Sequence, residues 1–226
     1  MFYVTGDTHM PIDMEKLDLT RFSQQLELTK NDYLIICGDF GGIWNKSPER
    51  MKMLNELDAR NFTTLWIDGN HENFNLLNSY PVNEWNGGKV HFIRPSIIHL
   101  MRGQVFTIDG LSFFTMGGGY SVDKCFRKPD QSWWPQEMPS KEEYAEALEN
   151  LKLHENAVDY IITHAAKTSI VKNYYLEGVN NELELDDFFE KLDGIITYKH
   201  WYCGHIHEDV DIDEKHTILY QKVVAL

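Results

Sequence analysis

Five short stretches of this sequence collect side chains able to hold a cation: Asp7 and His9 in "TGDTH", Asp39 in "CGDFGG", Asn70 and His71 in "DGNHE", His164 in "DYIITHA", and His205 with His207 in "CGHIH". Carboxylate, amide and imidazole donors without thiolate suit borderline or hard divalent cations. Taken singly, a histidine is more often an ordinary hydrogen-bonded residue than a ligand; five clusters in series point to one shared site. His9, His164, His205 and His207 with Asp7, Asp39 and Asn70 supply about the donors that two partly open metal sites need. Two neighbouring cations also call for a bridge, which a carboxylate's two oxygens can form.

Each cluster closes a short apolar run. "FYVTGD", "DYLIICGDF", "TTLWIDGNHE", "DYIITHA" and "HWYCGHIH" read as buried strands ending in polar residues, and strand ends are where α/β folds gather their chemistry. Between them, residues 13–28, 47–59, 140–154 and 182–192 carry helical spacing, with Ser47-Pro48 and Ser140 as starts. "GQVFTIDGLSFFTMGG", turning at Asp109-Gly110, and "HTILYQKVVAL" read instead as hairpins. The expected fold class is therefore α/β, two packed mixed β-sheets flanked by helices. A single domain over residues 1–226 is expected, with a long loop at 117–139 of a length that is often functional.

The chain's 226 residues, 42% hydrophobic, suffice for a sizeable core. A net charge of −14 argues against an extended nucleic-acid surface and leaves room for a small phosphorylated substrate in a local pocket. No basic leader and no long apolar stretch are visible, so neither a signal peptide nor a membrane span is expected. Cys37, Cys125 and Cys203 are an odd set without paired spacing, as in a cytoplasmic protein with reduced thiols. The C-terminal "ILYQKVVAL" suits an edge or an inner strand equally, which leaves the oligomeric state unassigned.

In identity and order, Asp7-x-His9, Gly38-Asp39, Gly69-Asn70-His71-Glu72, His164 and Gly204-His205-x-His207 resemble the calcineurin-like metallophosphoesterase superfamily, over nearly the whole chain and at the size of its small bacterial and phage members. The resemblance implies a four-layer sandwich. It implies one metal held by Asp7, His9, Asp39 and His207 and a second by Asp39, Asn70, His164 and His205, with Asp39 as the bridge. Manganese leads, with iron or zinc as alternatives. It implies hydrolysis of a phosphodiester or phosphomonoester by a water activated between the two ions, and His71 as the acid that protonates the leaving oxygen. In an extended segment residues two apart share a side, which would let His205 and His207 each face a different ion.

The sequence departs from the family pattern after Asp39, where Gly42 and Ile43 stand in place of an Asp-Arg pair that orients the histidine and contacts phosphate. Asp68 and Glu72 could replace the carboxylate but read more simply as a turn cap and a helix-start acid. For the phosphate the long loop offers Lys124, Arg127 and Lys128, with Arg127 preferred. Tyr120, Trp44, Phe74, Trp133 and Trp134 could stack on the base of a nucleotide substrate, although adjacent Trp133 and Trp134 read first as buried anchors. A phosphate- or protein-binding module on an inactive scaffold would be expected to lack ligands, and all are present here. A metal-dependent amidohydrolase would place its His-x-His pair on an early strand rather than near residue 205.

Overall fold

The computed structural model describes residues 1–173 and 183–226. Two sheets form its centre. In the first, β1 (Phe2–Thr5), β2 (Tyr33–Ile36) and β3 (Thr63–Trp66) lie parallel. The sheet continues through β6 (Ile97–Leu100), β5 (Gly88–Arg94) and β4 (Val82–Trp85), and β13 (Val223–Ala225) closes its other edge antiparallel to β1. The second contains β7 (Gln104–Ile108), β8 (Leu111–Met116), β9 (Tyr160–Thr163), β10 (His200–Cys203), β11 (Val210–Asp211) and β12 (His216–Ile218) in the order β11-β12-β10-β9-β8-β7. Both sheets are mixed, as expected.

The strands are apolar on both faces because both faces are covered. Phe2, Val4, Ile35 and Leu65 meet Phe106, Phe113, Ile162 and Tyr202 of the opposite sheet. Their neighbours Tyr3, Leu34, Ile36 and Trp66 point the other way, as the two-residue period of a strand requires, and bury Leu54 and Leu57 of α1 (Pro48–Asp58). On the outer face of the second sheet, Phe114, Ile161 and Trp201 pack against α3 (Lys141–Leu153) and α5 (Leu183–Asp193); α2 (Phe74–Leu77) and α4 (Thr168–Val171) are single turns. The result is helix, sheet, sheet, helix. Ser47 accepts from Arg50 N at the start of α1, and Ser140 with Glu143 forms a reciprocal capping box at the start of α3.

Three local expectations are corrected. Residues 13–28 form only two 3₁₀ turns, Met14–Leu17 and Ser23–Leu26. Tertiary demands outweigh a weak helical pattern there: the buried Lys16 ammonium donates to Asp7 O and Tyr220 O, and the Gln25 amide donates to Leu17 O and Phe22 O. "HTILYQKVVAL" is not a hairpin, because β12 and β13 belong to different sheets. The crossing is held by the Asp209 carboxylate, which accepts from Tyr220 N, Gln221 N and Lys222 N at 2.8, 3.0 and 3.0 Å. The extension of the first sheet by β6, β5 and β4 was not anticipated, although Asn86-Gly87, both at positive φ, is the same kind of two-residue turn that Asp109-Gly110 makes between β7 and β8. The helix expected at 182–192 is α5, and Glu182 lies outside the described residues. No helix among the described residues is long and apolar enough to cross a membrane.

Candidate metal centre

The C-terminal ends of β1, β2 and β3 from one sheet and of β9 and β10 from the other meet at one place, and each carries one of the five clusters. The approach is too tight for side chains on the intervening glycines. A Cβ on Gly69 would stand 2.2 Å from Asp39 Oδ1, and one on Gly204 2.3 Å from Asp7 Oδ1. His9, Asp39, His205 and His207 all adopt positive φ (35°, 46°, 65° and 58°), backbone that costs about 1–3 kcal/mol per residue and collects at functional sites. This corrects the reason expected for His205 and His207. They converge not as alternate residues of an extended strand but as left-handed residues after β10 has ended at Cys203.

Two imidazoles aim at one carboxylate oxygen. His9 Nε2 lies 3.1 Å and His164 Nε2 3.5 Å from Asp39 Oδ2. Both rings are held from behind through Nδ1, which in His9 donates to Asp13 Oδ2 at 2.7 Å and in His164 to Cys37 O at 2.8 Å. The other Asp39 oxygen accepts from His71 N at 2.7 Å. Asp7 Oδ2 lies 2.9 Å from His207 Nε2, and Asp7 Oδ1 accepts from His205 N at 2.9 Å. Asn70 presents Oδ1 3.1 Å from His164 Nε2, and its amide donates to Ser121 Oγ at 3.2 Å.

Burial opposes charge on Asp7, His9, Asp39 and His164, yet these carboxylates and imidazoles hold each other ionised. Against burial, Asp39 and Asp7 push the metal-free His164 up to about 9, and the Asp39 contact does the same for His9. Burial likewise works to raise both carboxylates, but His164 above all keeps Asp7 below, and Asp39 well below, the usual carboxylate range. Such a constellation, protonated without metal, is poised to exchange protons for cations. Three groups present one ligand atom per residue within 4.8 Å of each other: Asp7, His9 and His207; Asp39, His164 and His205; and His9, Asp39 and His71. Ligands about 2.0–2.2 Å from a shared ion stand at comparable mutual distances, so these groups are candidates to hold divalent metal.

A family model described as calcineurin-like phosphoesterase matches residues 1–209. The chain belongs to the calcineurin-like phosphoesterase family. Membership supports hydrolysis of phosphoester bonds and the use of divalent metals, for which the groups above are the candidates. Among curated proteins the chain is 25% identical over 210 residues to a lariat debranching enzyme of Schizosaccharomyces pombe, a match covering 80% of this chain. The chain spans only 44% of that relative's length. A solved phosphopantetheinyl hydrolase of Mycobacterium tuberculosis aligns over 97% of this chain and 89% of its own with a TM-score of 0.46 at 15% identity.

Within this member of the phosphoesterase family, the carboxylates weighed as partners of His71 do other work. Asp68 is no turn cap. It is buried and accepts from Arg102 Nε and Nη2 at 2.8 and 2.6 Å and from His99 Nε2 at 3.2 Å. Glu72 does not start a helix, since Asn73 caps α2; buried, it accepts from Phe40 N and Gly41 N and so fixes the turn that follows Asp39. His71 is met instead by Arg127, whose Nη1 lies 3.1 Å from His71 Nδ1. Arginine only donates, so Nδ1 accepts and the neutral ring carries its proton on Nε2. Burial pulls the His71 imidazole down, with Asp39 opposing and Arg127 reinforcing.

The loop carrying Arg127 is tied down. Arg102 Nη2 donates to Gln136 O and Glu137 O, and Glu137 accepts from Ser121 N. Trp134 is buried in the core edge-on to Trp44, as expected for an anchor, whereas Trp133 is half-buried, with Lys124 above its ring. Sequence reasoning missed Asp13, Tyr220, Arg102 and His99. Tyr220 stacks on His207 at 4.5 Å and donates to Asp13 at 2.9 Å. Only the four-residue offset of Asp13 from His9 could have flagged any of them.

Proposed function

We propose that the chain is a two-metal phosphoester hydrolase acting on a small phosphorylated substrate, with a nucleotide among the candidates. The observation that carries this reading is the shared Asp39 Oδ2, approached by both His9 Nε2 and His164 Nε2. Asp7, His9, Asp39 and His207 would hold one ion and Asp39, Asn70, His164 and His205 the other, manganese being the first choice. When bound, such ions lower the pKa of water and withdraw charge from a phosphoryl oxygen. His71, with its proton on Nε2, would hand that proton to the leaving oxygen, and Arg127 would orient His71 and contact the phosphate. Family membership and the relation to the lariat debranching enzyme both support phosphoester hydrolysis. The complete donor set speaks against an inactive binding scaffold. A single working domain and a cytoplasmic setting belong to the same proposal, the latter supported by three unpaired thiols.

The test is to strip the protein of metal, titrate it with Mn²⁺, and follow bound metal and hydrolysis of a chromogenic diester and monoester together. Asp39→Asn is expected to lose both metal and turnover. His71→Ala is expected to keep the metal and lose ~10²–10⁴-fold in rate, the usual share of a general acid. Full metal content and full rate in Asp39→Asn would defeat the bridging role.

A further inference from the structure

His71 stands between two clefts. On the loop side, a cleft of about 240 Å³ rises over Asp39 and Asn70 and is walled by Tyr120, Val122 and Arg127. On the other side, a second of about 240 Å³ runs from His9 over Met10, Ile12, Trp44 and Arg50. Each is smaller than the ~300–1,000 Å³ that encloses a whole ligand, so each suits one arm of a substrate.

Both clefts are edged by apolar side chains left in water. Ile12 is 79% exposed on one side; Val122 is 58% and Phe126, further along the same loop, 90% exposed on the other. Such residues around a charged centre contribute nothing to the core and gain only when an apolar group settles on them. The Trp44 ring is fixed edge-on to Trp134 at 5.4 Å, and its carbonyl accepts from the Asn73 amide at 3.0 Å. The Arg50 guanidinium donates to Met10 O, and its other N–H groups have no partner among the described residues. A ring lying over Trp44 with an acceptor toward Arg50 would satisfy this cleft.

Resting on the phosphoester-hydrolase reading, we infer that the preferred substrate is a phosphodiester with an arm in each cleft, its leaving arm an aromatic group on the Trp44 side. His71 Nδ1 is engaged by Arg127 on the loop side, which leaves Nε2–H for a leaving oxygen on the other. Water adds its oxygen to phosphorus and releases one proton to solvent. The P–O bond to the leaving arm breaks with its electron pair on oxygen, His71 protonates that oxygen and regains a proton from solvent. The products are a phosphomonoester and a free alcohol or phenol. A monoester would place its phosphoryl group in the loop-side cleft but leave the Tyr120 and Val122 wall without a substrate arm.

Three substrates that release the same p-nitrophenolate isolate the retained arm: bis(p-nitrophenyl) phosphate, ethyl p-nitrophenyl phosphate and p-nitrophenyl phosphate. The expected order of kcat/KM with Mn²⁺-loaded protein is bis-aryl, then ethyl, then monoester. Val122→Ser should lower the bis-aryl value by about tenfold, equivalent to ~1.4 kcal/mol, and change the ethyl value by under about twofold. Ile12→Ser should weaken both diesters through KM. Both positions are exposed, so folding is not at stake. Equal kcat/KM for monoester and bis-aryl diester, or an equal effect of Val122→Ser on both diesters, would overturn the assignment while leaving hydrolysis intact. Calorimetric binding of diphenylphosphinate, which has no ester bond to cleave, reads the clefts without turnover. Affinity about tenfold weaker in the Ile12→Ser, Val122→Ser double variant supports them even if no ester is cleaved, and unchanged affinity refutes them.

Discussion

Asp13 shows how a side chain behind the candidate donors sets their aim. Its carboxylate fixes the His9 ring through Nδ1 and is itself held by the Tyr220 hydroxyl, so one acid sets the aim of a candidate ligand from a turn after β1. Outer partners of this kind typically govern metal affinity by ~10–100-fold. Asp13→Asn is therefore expected to weaken Mn²⁺ binding by about that factor, read by competition with a chromogenic chelator, and unchanged affinity would remove Asp13 from the supporting shell. The convergence of the candidate donor side chains was legible in the sequence because carboxylate, amide and imidazole groups recur at the ends of apolar runs, four of them closed by a glycine. Asp13 and Arg127 were harder to read, because their value comes from distances of 2.7 and 3.1 Å to His9 and His71, and no local pattern encodes them. Arg127 was selected as a phosphate contact; its engagement of His71 was not foreseen.

At the scale of elements, what could be read followed the strength of local signals. The strands that end in site residues are apolar on both faces, and β1, β2, β3, β9 and β10 all lie where those runs predicted. Ser140 announced α3 because a capping serine with Glu143 three residues on is a local device. Ser140→Ala should cost ~1 kcal/mol in a urea titration, with no change in metal content. Residues 13–28 misled because Lys16 and Gln25 spend their donors on distant carbonyls, and the C-terminal segment misled because Asp209, outside it, directs the crossing between sheets. Such long-range hydrogen bonds leave no periodicity to find.

For the molecule as a whole, the buried network beside the centre sets an acid limit. His99 Nε2 donates to Asp68, His99 Nδ1 and His91 Nδ1 lie 3.1 Å apart, and burial, aided by His99, pushes His91 down to about 4. The unfolded chain, in which His91 keeps its ordinary value near 6.5, binds the extra proton between those pH values. Stability should accordingly fall as pH drops from 6.5 toward 4, by up to ~3 kcal/mol if the whole shift is expressed. His91→Gln should flatten that slope in denaturant titrations of the metal-free protein; a slope unchanged by the substitution would place its origin elsewhere. The raised imidazoles of the metal-free centre act in the opposite direction, stabilising below 6.5 and losing that contribution as pH climbs through about 9, so the two windows do not overlap. The contact of Asp7 with His207 spans 200 residues. A centre closed between such distant positions cannot exist on a partly synthesised chain, and its closure belongs among the late, slow contacts of folding. Metal binding at the proposed centre would therefore require that the two sheets have already docked, because Asp7 and His207 come from opposite ends of the chain.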